Sequence, residues 1–166
     1  STGMAAIASA KIENAEKIVS NSESVIGMYG VDSGTIVTNE KDIELHGQKS
    51  TGIFSKDDAT AENSGTINFT LAKDSTAIFA ESARAKNDGV IKLGQGSTGI
   101  YGVYRDNTPK YATGIPNKLE IETTSKSDIN LGKSSTGMYL INAQKLTSAA
   151  GGKIESAAGA TNNVGI

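Results

Sequence analysis

Cysteine and tryptophan are absent from this 166-residue chain, and proline occurs only twice, at Pro109 and Pro116. Without cysteine there is no disulfide framework and no thiolate metal site. The same absence suits a chain that crosses an oxidising compartment unfolded, and so is compatible with export. Histidine occurs once, as His46, and arginine twice, as Arg84 and Arg105. A single histidine excludes metal centres built from several His or Cys ligands. The 16 basic and 18 acidic residues give a formal net charge of −2, without the basic excess or stripe that nucleic-acid binding shows. No run of 18 apolar residues occurs, so no transmembrane helix is expected.

What the chain has in quantity is repetition. Ser-Thr-Gly-(Ile/Met) followed by an aromatic occurs at Ser50–Phe54, Ser97–Tyr101 and Ser135–Tyr139, and Ser75–Phe79 differs only in Ala77. Gly27-Met28-Tyr29 is a partial copy, and the chain opens on Ser1-Thr2-Gly3-Met4 and closes on Val164-Gly165-Ile166. The glycine slot recurs at 3, 27, 52, 77, 99, 137 and 165, in steps of 24, 25, 25, 22, 38 and 28. Units this short cannot bury a core alone and must stack on their neighbours, which makes the architecture a solenoid. Both ends fall inside a repeat, so residues 1–166 are expected to be one segment of a longer array.

A second motif alternates with the first. It reads Asn/Asp-x-Gly-(Thr/Val)-Ile at Asp32–Ile36, Asn63–Ile67 and Asn87–Ile91, and Ile recurs in its last slot at 12, 36, 67, 91, 121 and 154. The residues flanking this Ile vary among polar types, the period-two alternation of a half-buried strand. A leucine precedes each Ser-Thr, at Leu45, Leu71, Leu93 and Leu131. The Asn/Asp-x-Gly corners supply residues that tolerate positive φ. Two or three short strands per turn of about 24 residues predict a parallel β-helix of six to seven coils, spaced about 4.8 Å apart, with Ile stacked on Ile inside and Thr or Asn stacked at corners. Residues 5–17 could pass for a short helix, but their phase makes them a degenerate coil.

Ile/Met and the aromatic are adjacent in the first motif, so one points in and the other out. Tyr and Phe interchange at 29, 54, 79, 101 and 139, and a phenol prefers water. The aromatics are therefore expected outside, as a ladder that stiffens the rod or offers a surface for sugar rings. The rhythm breaks once. Residues 102–118 hold about 14 residues more than a coil needs, including both prolines, Tyr104, Arg105 and Tyr111. Loops that interrupt solenoids project from one face and often bind, and Tyr and Arg are enriched at hot spots. Tyr104, Arg105 and Tyr111 are the candidate ligand-binding residues.

Catalytic readings find less support. His46 lies at a corner without an equivalent in other coils and reads as an exposed turn residue, not as the base of a Ser-His-Asp system. Pectin-lyase-like β-helix enzymes cluster Asp, Arg and Lys on one face; here the arginines are far apart in sequence and no acidic cluster recurs, so no assembled site is expected. No cofactor and no metal site is expected. Calcium-binding Gly-Gly-x-Gly-x-Asp corners are missing, and the Thr of Ser-Thr-Gly lacks the second column of an ice-binding array.

The alternation of Asn-Ser-Gly-Thr-Ile with Leu-Gly-x-x-Ser-Thr-Gly-Ile-Tyr resembles the passenger regions of large type V secretion autotransporter adhesins, notably of fusobacterial type. The likeness covers nearly the whole chain apart from the insert. It implies a right-handed β-helix, an upstream signal peptide, a downstream outer-membrane barrel and display on the cell surface. It implies a non-enzymatic stalk that attaches to a host-cell or bacterial surface protein or glycan. No family binding motif maps onto residues here. Ala77 in the glycine slot and the missing glycine before Leu119 depart from the pattern and bring local corner geometry into question.

Overall fold

The computed structural model describes residues 1–105 and 118–166. These form eighteen strands and no helix. Three strands make one coil, and six coils follow in order. Coil one is β1 (Thr2–Ile7), β2 (Lys11–Asn14) and β3 (Ile18–Ser20); coil two is β4 (Ile26–Val31), β5 (Ile36–Asn39) and β6 (Asp42–Leu45). Coil three is β7 (Thr51–Lys56), β8 (Thr60–Asn63) and β9 (Thr66–Asn68); coil four is β10 (Thr76–Glu81), β11 (Arg84–Asn87) and β12 (Val90–Lys92). Coil five is β13 (Thr98–Val103), β14 (Glu120–Thr123) and β15 (Asp128–Leu131); coil six is β16 (Thr136–Ile141), β17 (Lys145–Ser148) and β18 (Lys153–Ser156). Equivalent strands pair in parallel into three six-stranded sheets, so the fold is the expected β-solenoid, with three faces.

Each face contributes an inward column. The first sheet supplies Met28, Ile53, Ile78, Ile100 and Met138; the third supplies Ile43, Ile67, Ile91 and Ile129, all essentially inaccessible. Burying one such side chain contributes roughly 1.5–3 kcal/mol. The second sheet is narrower inside, with Val37, Ala61, Ala85 and Ile121. The isoleucines read from sequence as one slot thus belong to two sheets. Ile12 and Ile121 lie in the second, while Ile67, Ile91 and Ile154 lie in the third. Ile36 is partly exposed beside the inward Val37. The two slots look alike because both are apolar residues entering a strand after a tight corner.

The corners separate the same way. Asp32-Ser33-Gly34 joins the first sheet to the second, while Asn63-Ser64-Gly65 joins the second to the third. Asp32 and Gly34 do adopt positive φ, 77° and 79°. Gly65 and Gly89 are needed for another reason: a Cβ on Gly65 would overlap the Lys41 carbonyl oxygen, and one on Gly89 the Gly65 carbonyl. The leucine slot also shifts in coil three. Phe69, fully buried, takes the place held by Leu45, Leu93 and Leu131, and Leu71 projects from the turn, 70 % exposed. Ala77 lies within β10, buried and in register, so the lost glycine does not disturb a corner.

Strand lengths barely change from coil to coil, and the irregular repeat steps are absorbed by corners. The connection from first to second sheet takes two to four residues in five coils and sixteen, residues 104–119, in coil five. β14 nevertheless pairs with β11 in full register, Arg84 with Glu120 through Asn87 with Thr123.

Candidate binding surface

Two buried polar ladders fix how the surface is presented. At the ends of the first four second-sheet strands, Asn14 Nδ2 donates to Asn39 Oδ1, Asn39 to Asn63 and Asn63 to Asn87, each at 2.8 Å. Asn87 Nδ2 then donates to Ser127 Oγ at 2.7 Å. At the opposite corner, the serine of Ser-Thr-Gly accepts a backbone N–H from the coil before. Val25 N–H donates to Ser50 Oγ, Ser50 to Ser75, Ser75 to Ser97 and Ser97 to Ser135, at 3.1–3.3 Å. Burial without such partners would cost about 1–3 kcal/mol per group, which explains why the motif keeps Ser.

These ladders hold the first sheet with its aromatics outward, as expected. Tyr29, Phe54, Phe79, Tyr101 and Tyr139 form one column, with ring centroids 5.4, 4.6, 4.9 and 5.6 Å apart. Phe54 and Phe79 are within 3° of parallel, and Tyr101 and Tyr139 within 7°. Parallel stacking covers one ring face each of Phe54, Phe79, Tyr101 and Tyr139, while Tyr29 meets Phe54 at 63° and Phe79 meets Tyr101 at 37°. A sugar lies on a free aromatic face, and contact along the column leaves little of the inner faces free, so the geometry favours stiffening.

Charge gathers at the corner between the first and second sheets. Arg84 Nη1 lies 2.7 Å from Asp58 Oδ1, and its Nε 3.5 Å from Glu120 Oε2. Ser33 Oγ donates to the other Asp58 oxygen at 2.9 Å. Glu81 is approached by Lys56 Nζ at 3.6 Å and by Arg105 Nε at 3.8 Å. Both arginines and three carboxylates thus converge on one corner, where sequence separation had suggested no assembly. The topology is the reason: residues one coil apart in sequence are neighbours along the axis.

Of the candidate binding residues, Tyr104 and Arg105 lie at this corner, and Tyr111 falls outside the described residues. Gly102 and Val103 complete β13, so the first two residues assigned to the insert are strand. Tyr104 packs partly buried against the core, and its N–H donates to Ile141 O at 3.0 Å. Arg105 is pinned through its backbone, donating to Ser82 Oγ at 2.9 Å and accepting from it at 2.7 Å. Its side chain is 57 % exposed. Arg105 therefore offers an exposed cation at this corner, and Tyr104 contributes packing to the core.

His46 is half-buried at the opposite corner, its Nδ1 2.7 Å from Asn21 Oδ1. Among the described residues, no group of three or more His, Cys, Asp or Glu could hold a metal ion. No family model, curated protein or solved structure matches this chain.

Proposed function

We propose that this chain is a non-enzymatic, surface-displayed adhesin segment: a stiff β-helical stalk that presents a binding excursion to a protein or glycan on a host cell or another bacterium. The observation that carries this reading is the continuity of the stack past coil five. β11, β14 and β17 stay in register although sixteen residues intervene between β13 and β14. A column that accommodates a long excursion without losing a hydrogen-bond ladder suits a support whose contacts lie on its loops. The autotransporter resemblance of the repeats supports the same reading and would place the segment outside the outer membrane.

A polysaccharide-active enzyme is the competing reading, and the acid–base corner is its best support. Its carboxylates are engaged, however: Asp58 is 5 % exposed and held by Arg84 and Ser33, and Glu81 lies between Lys56 and Arg105. General acid–base work on a glycosidic bond needs two carboxyl groups facing a substrate. The test is attachment of beads coated with the chain to epithelial cells, to bacteria and to a glycan panel. Attachment that disappears on deleting residues 106–117 supports the proposal. Absence of attachment to any of them, or turnover of a polysaccharide by the chain, contradicts it.

A further inference from the structure

The outer face of the first sheet is ordered along the coil axis, with Phe54 stacked on Phe79 and Lys56 beside Glu81 at its middle. Through coils two to five, the fourth position of the strands reads Tyr29, Phe54, Phe79, Tyr101. The sixth position reads Val31, Lys56, Glu81, Val103. Both columns are symmetric about the boundary between coils three and four, and the mirror position of Lys56 is Glu81. The outer coils continue the pattern. Ile7 corresponds to Ile141, and the small Ala5 to Tyr139, the most exposed ring of the column at 55 %. In the first position Thr51 corresponds to Thr76, whereas Ile26 corresponds to Thr98.

We propose that this face is a docking surface for a second copy of the chain, packed face to face with its coil axis antiparallel. A two-fold axis along the strand direction, between coils three and four, carries every residue onto its counterpart in the other copy. A two-fold interface must be complementary to itself, and this one is. Tyr and Phe oppose Tyr and Phe, valine opposes valine, and Lys56 opposes Glu81 twice.

The other two faces fail the same operation. On the second sheet it sets Glu62 against Lys86 but also Lys11 against Lys145, and on the third Asp42 against Asp128. Like charges placed opposite one another across an interface oppose association.

Six strands about 20 Å long, spaced about 4.8 Å apart, cover on the order of 570 Å² per copy. The total, about 1,100 Å², is just above the roughly 1,000 Å² that a specific interface needs, so the dimer is reversible. Glu81 and Val103 are the least open members, 9 % and 6 % exposed. The aromatic column therefore forms the centre of the contact, with the first-position threonines along one rim and the ion pairs along the other. This surface is independent of whether the chain attaches to cells.

Sedimentation velocity of the intact chain from about 1 to about 200 μM tests the proposal, with circular dichroism confirming the fold of each variant. The chain should dimerise. Lys56→Glu and Glu81→Lys should each weaken the dimer about tenfold or more, because each sets like charges opposite one another. An equimolar mixture of the two variants should regain the original affinity, since the carboxylate introduced in one copy faces the ammonium introduced in the other. The pairing of Lys56 with Glu81 within one chain is lost in both variants and cannot produce that recovery. A chain that stays monomeric, a dimer indifferent to both substitutions, or a mixture no tighter than its components overturns the proposal.

Discussion

Asn63 accepts from Asn39 and donates to Asn87 while almost wholly buried. Asn63→Ala leaves a buried Asn39 donor without its partner, and urea unfolding should register a loss of about 1–3 kcal/mol. Stacking of Asn at corners was expected from the sequence, but which asparagines pair through their amides was not legible, because nothing in one copy shows which side chain of the next copy it meets. Phe69 shows the same limit. Ile67-Asn68-Phe69 has the beat of Ile91-Lys92-Leu93, yet Leu71 stood nearer the expected spacing and masked it. Phe69→Ala should cost about 3–5 kcal/mol, whereas Leu71→Ala should stay within about 0.5 kcal/mol. Equal effects of the two substitutions on the melting temperature would contradict the assigned slot. Repulsion from Glu40, with a hydrogen bond between the two carboxyls, holds Glu13 above its ordinary range. A raised carboxyl favours the fold while protonated, so its contribution is present at low pH and fades as pH rises through the folded value. An NMR titration should find Glu13 returned toward the usual range in Glu40→Gln.

At the scale of elements, strands were easier to read than corners. Period-two alternation and the Ser-Thr-Gly slot located the first sheet and its outward aromatics, because side-chain direction in a strand follows directly from sequence parity. Corners obey no such rule. Their lengths vary, and what they bring together depends on axial stacking, which is why Arg84, Arg105, Asp58 and Glu81 looked scattered in the sequence. The root of the excursion separates two residues that composition had grouped. Tyr104→Ala removes a ring packed on the core and should lower the melting temperature. Arg105→Ala removes an exposed side chain whose backbone bonds to Ser82 remain. It should leave the melting temperature nearly unchanged and weaken attachment to cells. A reversal of that division, read by calorimetry and a cell-binding assay, would move the binding role to Tyr104.

For the whole molecule, the number of coils, their parallel stacking and the site of the interruption were all legible, since a solenoid writes its architecture into its period. The choice of three sheets over two was not, because two of the faces carry the same Ile-after-corner signature. The resulting rod is about 24 Å along the axis between its first and sixth strands. Its stability is a sum of contacts between neighbouring coils. Ladders of Asn, Ser and aromatic side chains run along it, and only the asparagine ladder changes partner beside the excursion, from Asn to Ser127. Deleting residues 106–117 should therefore leave the column continuous. Urea unfolding of the intact chain and of a chain lacking residues 106–117, followed by circular dichroism, tests this directly. The account predicts one transition in each, with midpoints that coincide. Two separate transitions in either chain, or a deletion variant that unfolds at much lower urea, would show that the column is not continuous through coil five.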